Sequence, residues 1–263
     1  MFCWYERLDD FADYVVAVYP HSGSGDSDYY SDREMDLKSI RIAGKAVESM
    51  RLEKHERLRE AYHYFHRISV GPNLAGWVFK AIIHRMFSGG WSDGSAPQPI
   101  RMVSNNSDPP VFSADLPSVP DAWLPSPAPL STDTRAVTLV NFTHGLNDVT
   151  LDKNNYYIPI ATTNPLFDSF TIDRHRDTVI ISIFQITISQ KHEGSAAGYF
   201  LIRKIIAHVR RLLKVPKAPV KIVYILVCPK DATQHKWQMP VDWNKNIKIN
   251  DHRGNAFYLR VPT

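Results

Sequence analysis

The sequence predicts an α/β protein, a mixed β-sheet with flanking helices. Three observations lead there. Runs rich in β-branched and aromatic residues recur through the last two-thirds of the chain. A long amphipathic stretch separates two of them, and the order strand, strand, helix, strand is that of a mixed sheet with helices packed on it. Val220 to Val227 is wholly apolar and ends at Cys228-Pro229, the profile of a buried central strand.

Taken in order, residues 1–70 read as an N-terminal helical segment. After the polar stretch Tyr29 to Asp36, the residues Ile40, Ala43, Val47, Met50, Leu58, Tyr62 and Phe65 recur at helical spacing. Charged residues such as Glu53, Lys54, Glu56 and Arg57 fill the opposite face. Gly71-Pro72 then interrupts the chain. Asn73 to Arg85 reads as a second helix with Leu74, Trp77, Val78, Ala81 and Ile82 as its apolar stripe, stopped at Gly89-Gly90. Nine of the chain's 18 prolines fall between Ser88 and Ser131, where missing backbone donors disfavour regular structure. A surface excursion with one short strand, Pro99 to Val103, is expected there. Strands are expected at Ala136–Phe142, Tyr156–Ile160, Phe167–Ile172, Val179–Ser189, Val220–Val227 and Ala256–Val261, with a helix over Ser195–Lys214.

At 263 residues, with 44% hydrophobic and 22% charged side chains, the chain can bury a substantial core. A net charge of +4 is compatible with a nucleic-acid or phosphate partner and equally with an ordinary mildly basic surface. Two cysteines, Cys3 and Cys228, make neither a disulfide framework nor a cysteine zinc site. No apolar run reaches the ~20 residues of a membrane span, and the first residues do not read as a secretory signal. A reducing, intracellular compartment is the expectation, with any export address unconventional or outside this sequence.

Chemistry-bearing residues concentrate in two strands. In Val179 to Ser189, Gln185, Thr187 and Ser189 project from one face of an otherwise apolar strand. Either they satisfy one another and the neighbouring backbone, or they face a polar cleft. Asp168 stands in an apolar run just upstream. An acid on one strand and polar residues two apart on the next is the spatial logic of metal-dependent nucleases. Asp173, Asp177 and Glu193 are weaker additional acids, and His63 and His66 share a helix face without a third ligand. His192, just past the strand end, is a candidate to polarise a phosphate or act as general acid. On the helix that follows, Arg203, Arg210 and Lys214, flanked by Lys204 and Arg211, lie opposite a broad apolar face. That row fits either phosphate contacts or plain solvation.

Tyr156-Tyr157-Ile158-Pro159, Asn164 to Ser169, Phe184 to Ser189 and His192 together resemble the C-terminal domain of crinkler-type effector proteins of oomycetes and fungi, with relatives among trypanosomatid retrotransposon hot-spot proteins. Ala75-Gly76-Trp77-Val78-Phe79, leading to Ile83-His84, is similar to the helix that opens that domain. The resemblance covers roughly Gly71 to Pro229. It implies a restriction-endonuclease-like core over residues 71–263, action on DNA more than RNA, and Mg²⁺ or Mn²⁺ held by Asp168 with Gln185. Thr187, His192 and Lys80 would then stand near the scissile phosphate. It also implies delivery into a host cell and its nucleus, a host protein partner, or a P-loop NTPase acting in trans.

Departures from the pattern are specific. His21-Ser22-Gly23-Ser24-Gly25-Asp26 lacks the Gly-Lys-Ser/Thr of a phosphate loop, so the first 70 residues read as the remnant of an upstream NTPase module. Lys80 stands where nuclease relatives carry Glu on the opening helix. Gln185 and Thr187 replace the acid and lysine of the general superfamily pattern. The expectation is therefore twofold: a nuclease with a degraded site, or an inactive module of that fold that binds nucleic acid or a host protein.

Overall fold

The computed structural model describes residues 16–20, 33–37, 55–67, 72–89, 100–101, 103–104, 111–113, 138–143, 146, 149–152, 155–160, 166–175, 178–189, 191–193, 195–212, 220–230, 236–238 and 255–261. The chain divides into two compact units, Met1–Ile82 and Ile83–Thr263.

The first unit contains an element the helical reading did not anticipate. Strands β1 (Val16–Pro20) and β2 (Arg33–Leu37) pair antiparallel, with Val18 opposite Met35. Valine and tyrosine in β1 favour extended backbone, but a five-residue strand is too short for its alternation to stand out. The described helix α1 runs His55–Arg67, so the pattern from Ile40 to Lys54 lies outside the described residues. Leu58, Ala61, Tyr62 and Phe65 are buried on α1, in a helical i, i+3, i+4, i+7 stripe. Helix α2 (Pro72–Gly89) begins on a proline, whose fixed φ suits a first helical turn. Its Phe79 ring meets Tyr62 at 5.7 Å.

The second unit holds a seven-stranded mixed sheet, in spatial order β3 (Ile100–Arg101), β13 (Asn255–Val261), β11 (Val220–Pro229), β9 (Thr178–Ile186), β8 (Ser169–His175), β7 (Asn155–Pro159) and β6 (Thr138–Phe142). Strands β6 and β7 are parallel, β8 is antiparallel to both β7 and β9, and β9, β11 and β13 run parallel. A parallel step from β9 to β11 needs a crossover, supplied by helix α3 (Gly198–Leu212). Strands β9 and β11, buried along nearly their whole length, are the central pair. Their β-branched residues suit that position, and their lack of alternation follows from burial on both faces.

One face of the sheet packs against α3. Phe170, Ile172, Ile181, Ile183, Tyr224 and Leu226 from the strands meet Tyr199, Ile202, Ile205 and Val209 in a single buried cluster. Gly198 makes this approach possible: a Cβ there would collide with Leu166 Cβ. Leu146, buried in the connection from β6 to β7, takes a left-handed backbone with φ of 53°. That conformation costs about 1–2 kcal/mol, offset by its side chain's place in the core.

The proline-rich stretch holds more structure than one strand. Besides β3, it contributes β4 (Val103–Ser104) and β5 (Val111–Ser113). With β10 (Lys191–Glu193) and β12 (Lys236–Gln238) they form a second sheet in the order β10-β12-β5-β4. Two- and three-residue strands fit between prolines, which forbid only longer ladders.

Candidate functional site

The candidate site is the place where the start of β8 meets the end of β9. Antiparallel pairing puts Ser169 opposite Phe184, so the next step outward brings Asp168 to Gln185. The Asp168 backbone N–H donates to the Phe184 carbonyl at 2.8 Å. Its carboxylate Oδ2 accepts two further bonds, from Gln185 Nε2 at 2.8 Å and from the Ile186 backbone N–H at 2.7 Å. The carboxylate thereby extends the ladder where β8's backbone has turned away. Buried Gln185, 4% exposed, uses its amide N–H on that acid.

Thr187 follows on the same side of the strand. Its N–H donates to the Val227 carbonyl, and its Oγ1 accepts the Ser189 N–H at 3.0 Å. This local turn ends β9 by offering the backbone a partner outside the sheet. Of the two alternatives open in the sequence, these bonds match mutual satisfaction: Gln185 bonds Asp168, and Thr187 bonds the backbone of its own turn.

A divalent hard cation requires several oxygen ligands and negative charge. Here the Asp168 oxygen faces two N–H donors, and Gln185 turns its NH₂ group toward it. Among the described residues no group of three or more His, Cys, Asp or Glu could hold a metal ion. The Oδ2 of Asp168 is thus already engaged by two protein donors. Asp173 sits five residues along β8, opposite Ile180, about 17 Å from Asp168 at strand rise. It is not an additional ligand at this site. Asp177 lies outside the described residues. Glu193 and His192 lie on β10 of the smaller sheet, where His192 is in register with Trp237. Lys80 is half-buried on α2 within the first unit, whereas Asp168, Gln185 and Thr187 belong to the second.

On the opposite face of β8 stands a polar chain that the sequence reading passed over. His84 Nδ1 hydrogen-bonds Tyr156 Oη at 2.8 Å, and Tyr156 Oη hydrogen-bonds Ser169 Oγ at 2.6 Å. All three are buried. The signal was present: a histidine in an apolar helix, and Ser169 and Thr171 alternating in β8. Phe87 from the same helix packs on Tyr156 and, at 4.9 Å between centroids, on Phe184. The residue beside the acid is thus anchored to the last turns of α2.

The cationic helix is α3. Arg203 and Arg211 are exposed, and Lys204 and Arg210 are half-buried. Lys214 lies outside the described residues. Arg211 Nη2 donates to His208 Nδ1 at 2.6 Å, and His208 Nε2 reaches the Val149 carbonyl at 3.1 Å. A guanidinium on one ring nitrogen and a carbonyl on the other fix the Nε2–H tautomer. Lys204 Nζ stands 4.4 Å from the centre of the Phe200 ring. Phe200, 59% exposed, was missed because it adjoins the apolar positions Tyr199, Leu201 and Ile202 in sequence.

No family model, curated protein or solved structure matches the chain. No described helix is long and apolar enough to cross a membrane.

Proposed function

We propose that this chain carries a restriction-endonuclease-like core that binds nucleic acid, DNA foremost, without hydrolysing it. The resemblance to crinkler-type effector domains supplies the fold and substrate class. The alignment of an opening helix, an acid on one strand and a polar pair on the next accords with it. The observation that carries the non-hydrolytic reading is the closure of Asp168 Oδ2 by Gln185 Nε2 and Ile186 N–H. A carboxylate held this way supports strand pairing. The cations on α3 supply the attraction to phosphate, which is sequence-independent and salt-sensitive.

A metal-dependent nuclease is the second reading. It is favoured by the placement of Asp168 and Gln185 at adjoining strand ends, where that chemistry would call for them. Under this reading Mg²⁺ or Mn²⁺ would be the cofactor, with Thr187, His192 and Lys80 as further candidates. A host protein or an NTPase in trans remains the partner class that the resemblance suggests. Plasmid and single-stranded DNA incubated with Mg²⁺ or Mn²⁺ separate the readings, with wild type beside Asp168→Ala. Retention of DNA in a gel shift with no cleavage is the expected result. Cleavage by wild type that disappears in a folded Asp168→Ala protein would replace the binding reading with the nuclease.

A further inference from the structure

We infer that the exposed face of α3 is a platform for single-stranded nucleic acid, with Phe200 stacking on a base between cations that take the phosphates. This inference rests on the nucleic-acid reading above and specifies the form of the ligand.

The geometry begins with helical periodicity. At 3.6 residues per turn, positions 200, 203, 204, 207 and 211 fall within an arc of about 100°. The side chains there are Phe200, Arg203, Lys204, Ala207 and Arg211. Phe200, Arg203, Ala207 and Arg211 are exposed, and Lys204 is half-buried. Phe200 occupies the middle of that arc. From Phe200 to Arg211 the stripe runs about 16 Å along the axis. On the inner side, Ile202, Ile205 and Val209 fix the helix to the sheet, so the platform is rigid.

An aromatic ring in water is costly, and α3 has an apolar face that could have taken it. Phe200 instead remains 59% exposed, with the Lys204 ammonium 4.4 Å from its centroid. That cation–π contact leaves the rest of the ring in solvent and limits its rotamers. Arg211 is likewise held by His208. Rigid aromatic surface beside ordered cations is the arrangement that binds unpaired bases, because every base has a face to stack and every link has a charge. A duplex hides its base faces and gives Phe200 nothing to stack on. Ala207, small and between the cations, keeps the path along the stripe open.

The test is fluorescence anisotropy on the full chain, using a labelled 12-nucleotide oligodeoxythymidine and a 12-base-pair duplex. Tighter binding of the single strand is expected. Its log–log salt slope should lie near −2, from about 0.7 per contact for Arg203, Lys204 and Arg211. Phe200→Ala should weaken single-strand binding about tenfold, as loss of a stacked base does, and change duplex binding less than about twofold. Phe200→Trp should keep single-strand binding. Arg211→Ala should weaken both. Equal affinity for the two forms, or an unchanged single-strand affinity in Phe200→Ala, overturns the platform and leaves the nucleic-acid reading standing. Failure to bind either form at low salt overturns both, and self-association through Phe200 in its place would assign the face to a second copy of the chain.

Discussion

Asp168 shows how one side chain can stand where chemistry is expected and act on the backbone. Its Oδ2 holds the Ile186 N–H and the Gln185 amide at once. Hydrogen bonds to a charged acceptor contribute about 1.5–3 kcal/mol each, and orphaned buried donors add to the loss. Asp168→Ala should therefore lower stability by about 2–4 kcal/mol in urea titration, while Asp168→Asn should cost clearly less. A loss below about 1 kcal/mol in the alanine variant would contradict the ladder role. Gln185→Glu carries the opposite expectation: two carboxylates side by side repel, and a divalent ion relieves the repulsion. Thermal unfolding of Gln185→Glu should shift upward by several degrees with Mn²⁺ and return on chelation, while wild type does not move. At this scale the sequence singled out Asp168, Gln185 and Thr187 from polarity in apolar strands. It did not disclose which atom bonds which, because a carboxylate beside an amide is compatible with a metal between them or a hydrogen bond.

Elements show a sharper division. β9 and β11 were legible because burial on both faces leaves unbroken β-branched runs, and α3 because its core contacts recur with helical period. The short strands β10 and β12 were not, since three residues carry no period. Nor was the packing of α3 at its first turn, which depends on Gly198 meeting Leu166 from a segment 32 residues earlier. Cβ at Gly198 would meet Cβ of Leu166, an atom too close to the main chain to swing aside. Gly198→Ala should cost about 1–3 kcal/mol despite alanine's better helix propensity. Gly198→Ala combined with Leu166→Ala leaves the clash at Cβ and should not restore stability, whereas Leu166→Gly should relieve it in part. Full recovery with Leu166→Ala would place the conflict further out on the leucine.

Across the whole molecule, the buried ionisable groups predict how it responds to alkali. Burial, with the neighbouring Cys228, pushes Tyr258 up to about 12, and burial raises the Cys228 thiol and the Tyr224 and Tyr157 phenols above their ordinary values. Each of these groups is neutral when protonated and holds its proton more tightly folded than unfolded. Their contribution is complete below the unfolded values near 9 and 10 and is lost as pH rises toward the folded ones. Urea midpoints should accordingly fall between pH 9 and about 12, and Tyr258→Phe should flatten that fall. A midpoint constant to pH 11 would contradict it. The division of the chain at Ile82 and Ile83 could not be read from sequence, because it falls inside one continuous helix.

The β8–β9 hairpin imposes a rule on insertions and deletions. His175 pairs with Thr178 across a two-residue connection, and the seventh rung of the same register puts Ser169 against Phe184. A one-residue insertion in that connection that is passed into the strands shifts every rung, turns one strand's faces over relative to the other, and sets Asp168 against a different partner. Adding two preserves the faces but moves the acid along the strand. The connection farthest from Asp168 is thus the part of the strand pair whose length descendants of this sequence are least free to alter.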